Sequence, residues 1–322
     1  MKVLFATYPW AFHTPGGGEM QLLKYKEYLE NIGVEVTLLD QWNPRFADYD
    51  VVHYFSCIGG SIHFCKFVKD LGLPLFITSS LWITDRTANE YPIGEIREQL
   101  SLADVIIVNS DMEGDQLSQV LKLPRERFVT VYNGVDEYFL HRVSSELFID
   151  KFGIDSKYIL NVGNIEPRKN QLNLAMAMKQ ISDHDLVLIG RIRDEEYYRA
   201  VVDVAGDQLR YVGTLPHESE DLRSAYAGCS AFVLPSHLET PGLAALEAAA
   251  QGVNLVITEE GSAWEYFGGK AIYVDPMSTE SIVAGIRQAL EGGGRIRSER
   301  ISRNYSWGTV TEKLKRVYEG LA

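Results

Sequence analysis

The sequence predicts an α/β chain of two doubly wound, parallel-sheet domains, on three observations. Short β-branched runs alternate with helix-length periodic segments, and this alternation occurs twice along the chain. The runs are apolar throughout instead of alternating, so each strand is covered on both faces, as strands of parallel sheets are. At 322 residues the chain exceeds what one core holds, and two domains of about 150 residues follow.

The first half offers strands at VLFAT, VEVTLL, DVVHYF, PLFIT, DVIIV and FVTVY. After the first of these, Leu22, Tyr25, Leu29 and Ile32 recur at helical spacing, and Gly33 ends the run. The second half offers YILNV, DLVLIG, LRYVG, SAFVLP, NLVIT and AIYV. Between the halves, HRVSSELFIDKFGIDSK contains no strand and ends in turn residues, which places the boundary between Leu140 and Lys157. The expected domains are residues 1–145 and 150–305. Gly292 to Gly294 read as a helix stop. A closing helix over about 306–322 carries Val310, Leu314, Val317, Tyr318 and Leu321 on one stripe, which must be buried.

Composition narrows the function. A net charge of -13 argues against a nucleic-acid partner. No apolar run reaches the roughly 18 residues of a membrane span, and MKVLFATYPWAFH reads as a buried strand without a cleavage site. Cys57, Cys65 and Cys229 form no metal-ligand spacing, which agrees with a reducing, cytoplasmic setting. The basic residues between Arg287 and Arg316 read as solvated helix faces, with weak attraction to an anionic inner membrane face as the other reading.

The chemistry concentrates where strands give way to helices. PSHLETPGLAALEAAAQG holds Glu239 and Glu247 with seven residues between them. Pro241 suits a first helical turn, so a helix is expected to begin there, with Glu239 in the preceding turn at the carboxyl end of a strand. From Leu243 to Ala250 that helix has no polar face, so Glu247 must reach a partner or a cleft. Arg168 and Lys169 stand at the entrance of another helix, where cations oppose the macrodipole; an anion bound there would explain them. Gly16, Gly17 and Gly18 precede the first helix and let a backbone approach an anion; a plain flexible loop is the other reading of the triplet. Asp183-His184-Asp185 matches a metal-binding D-x-D but falls in a turn at the amino edge of a strand, so no metal and no cofactor are expected.

Taken in order, GGGE, YNGVD, VGNIEPRKN, the glutamate pair and the closing YSWGTVTEKLKRVYEGL resemble glycosyltransferase family 4, over nearly the whole chain. The resemblance implies the GT-B fold, two Rossmann-like domains facing across a cleft, and retaining transfer from a nucleotide-diphosphate sugar, UDP-glucose or another UDP-hexose. It implies that the closing helix returns to the first domain, with Trp307 near the crossing. By the same resemblance Arg168 and Lys169 hold the diphosphate, Glu239 faces the transferred sugar and Glu247 meets the ribose. Gly17, Gly18, Gly163, Asn164, Gly190, Arg191, Thr214, Leu215 and the backbone from Thr240 through Pro241 and Gly242 to Leu243 complete the donor site. The first half departs from the family at FITSSLWITD, where Ser79 and Ser80 stand in place of a histidine. His13, His53, Ser79, Ser80 and Trp82 are then the candidates for sugar or acceptor contacts. Saccharide, polysaccharide-precursor and lipid-linked saccharide acceptors all fit. Two alternatives remain open: a sugar-nucleotide epimerase, and a sugar-nucleotide-binding protein without catalysis. An NAD-dependent oxidoreductase lacks its dinucleotide fingerprint.

Overall fold

The computed structural model of the chain describes residues 1–13, 15–141 and 143–320. These residues form two compact units: residues 1–134 with the chain from Trp307 onward, and Val135–Ser306. Each is built around one six-stranded parallel sheet.

In the first unit the strands are β1 (Lys2–Thr7), β2 (Glu35–Leu38), β3 (Val51–Phe55), β4 (Leu75–Thr78), β5 (Val105–Val108) and β6 (Phe128–Thr130), in the order β2-β1-β3-β4-β5-β6. Helices α1 (Gly17–Asn31), α2 (Ile62–Asp70), α3 (Ile93–Leu102) and α4 (Asp111–Leu121) cross between them. Leu4, Val52, Ile77 and Ile106 point from neighbouring strands into one fully buried cluster with Leu100 and Leu117. The strand order reverses between β1 and β3, the place where a doubly wound sheet opens at its carboxyl edge.

In the second unit β7 (Tyr158–Val162), β8 (Asp185–Ile189), β9 (Leu209–Gly213), β10 (Ala231–Leu234), β11 (Leu255–Thr258) and β12 (Ile272–Val274) follow the order β12-β11-β10-β7-β8-β9. Its helices are α5 (Glu146–Phe152), α6 (Gln171–Met178), α7 (Glu195–Ala205), α8 (Glu220–Gly228), α9 (Leu243–Ala250), α10 (Ala263–Phe267), α11 (Thr279–Leu290) and α12 (Ser298–Tyr305). The reversal here lies between β7 and β10.

The division falls at Gly134, earlier than the segment 140–157 proposed from sequence. Packing is the reason. The Phe139 ring meets Tyr226 edge-on at 5.9 Å, Phe148 packs against Tyr158 at 5.8 Å, and the Gln251 amide donates to the carbonyls of Phe139 and His141. A stretch without strands is therefore still anchored to the second core.

The last helix, α13 (Trp307–Glu319), groups with the first unit and packs on α1. Val310, Leu314 and Tyr318 of its stripe are buried, and Leu321 lies outside the described residues. Trp307 is 2% exposed and meets Tyr25 edge-on at 5.7 Å. A Cβ at Gly134 would lie 2.4 Å from the indole, so glycine is what lets the ring seat against the backbone. Among the described residues no helix is long and apolar enough to cross a membrane.

Candidate functional site

In the second unit the loops that leave β7 and β10 meet at the point of strand reversal. After β7 the chain turns through Gly163 and Asn164 into a 3-10 turn, Pro167–Lys169, and then into α6. Asn170 links the two elements in a left-handed conformation, φ 59°, and its side-chain amide donates to the carbonyls of Pro235 and Pro276. The His237 amide donates to the Arg168 carbonyl at 2.9 Å. These bonds fix the basic pair beside the loop that carries Glu239.

Lys169 Nζ donates to Glu239 Oε1 at 2.6 Å, and Arg168 Nη1 lies 4.0 Å from the same oxygen. Glu239 is 5% exposed. Burial alone would raise its carboxyl, but the charges of Lys169 and Arg168 outweigh that cost and hold it below the usual carboxylate range. It is therefore ionised at neutral pH and can accept hydrogen bonds without donating any. The Arg168 guanidinium is half exposed and also pairs with Glu166, so its face stays accessible to an anion.

Gly242 makes the turn between Glu239 and α9. Its φ is 85°, and a Cβ there would sit 2.8 Å from Glu239 Oε2. The helix begins at Leu243, with Gly242 as its N-cap, not at Pro241. Pro241 follows a cis peptide bond from Thr240 and is buried ahead of the helix, so its role in the loop replaces the expected first-turn position. The helix N-terminus consequently opens directly beside Glu239, with the Ala245 amide donating to the Gly242 carbonyl at 3.0 Å and the amides before it lying ahead of the first intrahelical bond.

One turn further, Glu247 is buried at 5% exposure on the helix face that the sequence showed to be apolar. Both its oxygens have partners. His217 Nε2 lies 2.8 Å from Oε1, and the Tyr226 hydroxyl donates to Oε2 at 2.7 Å. Burial and the charge of Glu247 keep the Tyr226 phenol protonated. His217 also stands 3.8 Å from Asp136 Oδ2, so one imidazole lies between two buried carboxylates. His217 and Tyr226 carry no functional signal in the sequence, and Asp136 enters there only as the last residue of YNGVD. A lone histidine in GTLPHESE carries no signal until Glu247 is placed beside it.

The remaining expected donor positions share this edge. Gly190 follows β8 so close to Gly163 that a Cβ would lie 1.9 Å from the Gly163 carbonyl oxygen. Tyr211 donates from its hydroxyl to the Gly190 carbonyl at 2.9 Å. Arg191 and Thr214 are exposed and Leu215 is half-buried beyond the ends of β8 and β9. Asn164 accepts through its carbonyl from the buried Gln171 amide at 2.9 Å. At the opposite edge, Asp185 pairs across strands with Arg210 at 3.1 Å, and His184 Nδ1 lies 2.9 Å from Asp183 Oδ1 within the turn. Among the described residues no cluster of His, Cys, Asp or Glu could hold a metal ion.

The first unit redistributes its candidates. Gly17 opens α1, and a Cβ at Gly17 or Gly18 would meet only open space. The Gly16 amide donates to Glu19 Oε2 at 2.7 Å, and the Tyr8 hydroxyl donates to Oε1 at 3.0 Å, so a carboxylate of the chain already occupies this helix N-terminus. His53 is not a surface residue: it is fully buried in β3, with Tyr318 on Nδ1 at 2.6 Å and Thr78 on Nε2 at 2.7 Å. Burial lowers its pKa to about 3, which keeps it neutral inside the sheet. A strand-end histidine read from sequence alone could not reveal that α13 covers it.

Ser79 likewise turns inward, donating to Glu113 Oε1 at 2.6 Å, while Ser80 is exposed and donates to Gln21. Glu113 is fully buried and also accepts from the amides of Asn109 and Leu81, so it shapes the loop after β4. Its signal was present in sequence, since Ser110 and Glu113 form S-x-x-E immediately after a strand. His13 is exposed and Trp82 half-buried.

Comparison with known proteins gives this geometry a family. The group 1 glycosyl transferase model matches residues 144–306, just over half of the chain, and the Glycosyltransferase Family 4 model matches residues 24–138. The chain is 28% identical over 240 residues to O-antigen chain mannosyltransferase B of Escherichia coli, covering 70% of this chain and 62% of that protein. It is 26% identical over 307 residues to the D-inositol 3-phosphate glycosyltransferase of Actinosynnema mirum, covering 84% and 72%. In fold it is similar to sucrose-phosphate synthase from Thermosynechococcus elongatus, with a TM-score of 0.83 at 18% identity over 100% of this chain and 99% of that one. HepE of Anabaena, solved in complex with UDP, gives 0.80 at 18% identity over the whole of both chains. The strand order, the paired loops at both sheet reversals and these matches agree, and the chain belongs to the group 1 glycosyl transferases, a GT-B protein of the family 4 type.

Proposed function

We propose that the chain is a retaining glycosyltransferase that moves a hexose from a nucleotide-diphosphate sugar, UDP-glucose or another UDP-hexose, to a saccharide acceptor. The observation that carries this reading is the contact of Lys169 with Glu239 at 2.6 Å, with Arg168 beside it and Glu247 one helix turn beyond the loop. That arrangement sets two cations, an ionised acceptor carboxylate and a helix N-terminus at one sheet edge, the groups a diphosphate and a sugar hydroxyl require. HepE has been solved with UDP, with UDP and glucose, and with UDP-glucose, which supports the same donor class here.

Arg168 and Lys169 take up the charge that grows on the diphosphate as its bond to the sugar breaks. The departing diphosphate oxygen accepts the proton of the attacking acceptor hydroxyl, so the new bond forms on the face the old one left. Glu239 holds the sugar by its hydroxyls and Glu247 reads the ribose. The protein needs no metal in this scheme, and it works in the cytoplasm, where nucleotide sugars are available.

The test is incubation with UDP-hexoses and a saccharide panel, following UDP release and the anomeric configuration of the product by NMR. Transfer with retained configuration, insensitive to EDTA, is expected. An isomerised donor in the absence of acceptor would instead identify an epimerase, and UDP binding without transfer to any acceptor would identify a binding protein.

A further inference from the structure

The carboxyl edge of the first unit holds a cavity of about 560 Å³, within the range of small-molecule sites. Tyr8, Phe12, Trp42, Tyr54 and Phe64 wall it, and Asp40 stands at its rim. A smaller cavity of about 190 Å³ adjoins it through Tyr8 and is lined by Thr7, Glu19, Ser56 and Ser80. The wall is preformed: Phe64 packs against Tyr54 at 5.3 Å and Phe46 at 6.0 Å, and the Asp40 carboxylate accepts from the Trp42 amide at 2.9 Å. Gly59 and Gly60 pass with φ of 96° and 82° and bring backbone, not side chains, to the cavity.

Three features define what would fill it. Trp42 is 89% exposed and Phe12 44%, so apolar ring faces of the wall stand uncovered. The charged groups lining the two cavities among the described residues are Asp40 and Glu19, and no lysine or arginine lines either one. The chain as a whole carries -13, so its net charge supplies no attraction to offset these carboxylates for an anion at the groove.

From this we infer that the groove is a saccharide subsite selective for uncharged sugars, so that the acceptor carries no phosphate where it contacts the first unit. A pyranose ring lays its C–H face on an aromatic ring and gives its hydroxyls to a carboxylate such as Asp40. A phosphosugar or a pyrophosphoryl lipid would set its anion against Asp40 and Glu19 with no cation to receive it. The same charges disfavour an anionic membrane surface as the occupant. The inference rests on the transferase reading only in treating the bound sugar as the acceptor.

The experiment is calorimetric titration of the full chain, with and without saturating UDP. The probes are maltose, cellobiose and lactose, set against glucose 6-phosphate and inositol 3-phosphate. At least one neutral disaccharide is expected to bind about tenfold or more tightly than either phosphate. Trp42→Ala should weaken that binding about tenfold, and Asp40→Lys should shift preference toward the phosphates, while both variants keep wild-type UDP affinity. Both positions are exposed, so folding is not at stake. Preference for a phosphosugar in the wild type, an unchanged affinity in Trp42→Ala, or failure of all three disaccharides to bind would each overturn the inference. Failure of UDP to bind would count against the second unit's donor site and leave the saccharide result to stand by itself.

Discussion

On the proposed reading, His217→Ala tests how the second unit holds a nucleotide. The imidazole holds Glu247 Oε1 at 2.8 Å while Tyr226 holds Oε2 at 2.7 Å, so the carboxylate is clamped from two sides. If Glu247 accepts the ribose hydroxyls, its direction decides the strength of that contact. A hydrogen bond to a charged group contributes about 1.5–3 kcal/mol, so wild-type protein should prefer UDP over 2′-deoxy-UDP by roughly ten- to a hundredfold. Removing His217 frees one side of Glu247. Affinity for UDP should fall about tenfold, affinity for 2′-deoxy-UDP by less than about threefold, and the preference should shrink accordingly. His217→Gln, which keeps a donor, should recover part of it. The side chain is 31% exposed, so truncation costs little of the core, and a thermal melt checks this. Calorimetry with the two nucleotides is the assay. If His217→Ala weakened both by the same factor, the residue would be merely structural and the coupling to the ribose would be refuted.

Four further outcomes follow from the geometry. Arg168→Ala should lower turnover at least about a hundredfold, roughly 3 kcal/mol, with an unchanged melt because the side chain is half exposed. Lys169→Ala should lose stability as well, because it strands the buried Glu239 carboxylate; adding Glu239→Gln should restore the melt without restoring turnover. Steady-state kinetics should separate the glutamates, with Glu239→Gln lowering kcat and Glu247→Gln mainly weakening nucleotide binding. His53 should make stability pH-dependent: its pKa falls from about 6.5 unfolded to about 3 folded, so its contribution is complete above 6.5 and is lost as pH drops toward 3. Denaturation across that window should show a shallower slope in His53→Asn.

The fold was legible because its signal is local. The twelve strands of the described residues lie where apolar runs of four to six residues mark them, and the strand-to-helix turns alone put Arg168, Lys169 and Glu239 on one edge. Positions that depend on distant chain were not legible. His53 looks like a strand-end residue until α13, about 265 positions away, lays Tyr318 over it. The boundary region looks like a linker until Phe139 and Phe148 find the second core. Proline's fitness for a first helical turn points to Pro241 as the start of α9, but Gly242, immediately before the apolar run and at φ 85°, is the residue that admits Glu239 beneath the helix. Glu113 is different, because its S-x-x-E spacing with Ser110 is local and needs no distant partner to be seen.

Charge separates what the two units can recognise. In the second, Arg168 and Lys169 stand at the β7 loop with an ionised Glu239 between them and a helix N-terminus alongside, so an anion arriving there finds cations, amide hydrogens and one carboxylate already neutralised by its own lysine. In the first, the equivalent helix N-terminus is taken by Glu19 through the Gly16 amide, and the cavities beside it contain carboxylates without cations. A phosphate thus has a favourable place in one unit and none in these cavities of the other. On the proposed reading this sorts the substrates before any chemistry: the nucleotide sugar is recognised by its charge and the acceptor by its rings and hydroxyls. A single substitution at Asp40 should then change acceptor choice without touching the donor, and a single substitution at Arg168 should do the reverse. If Asp40→Lys altered UDP affinity, or Arg168→Ala altered saccharide affinity, recognition would not be divided in this way.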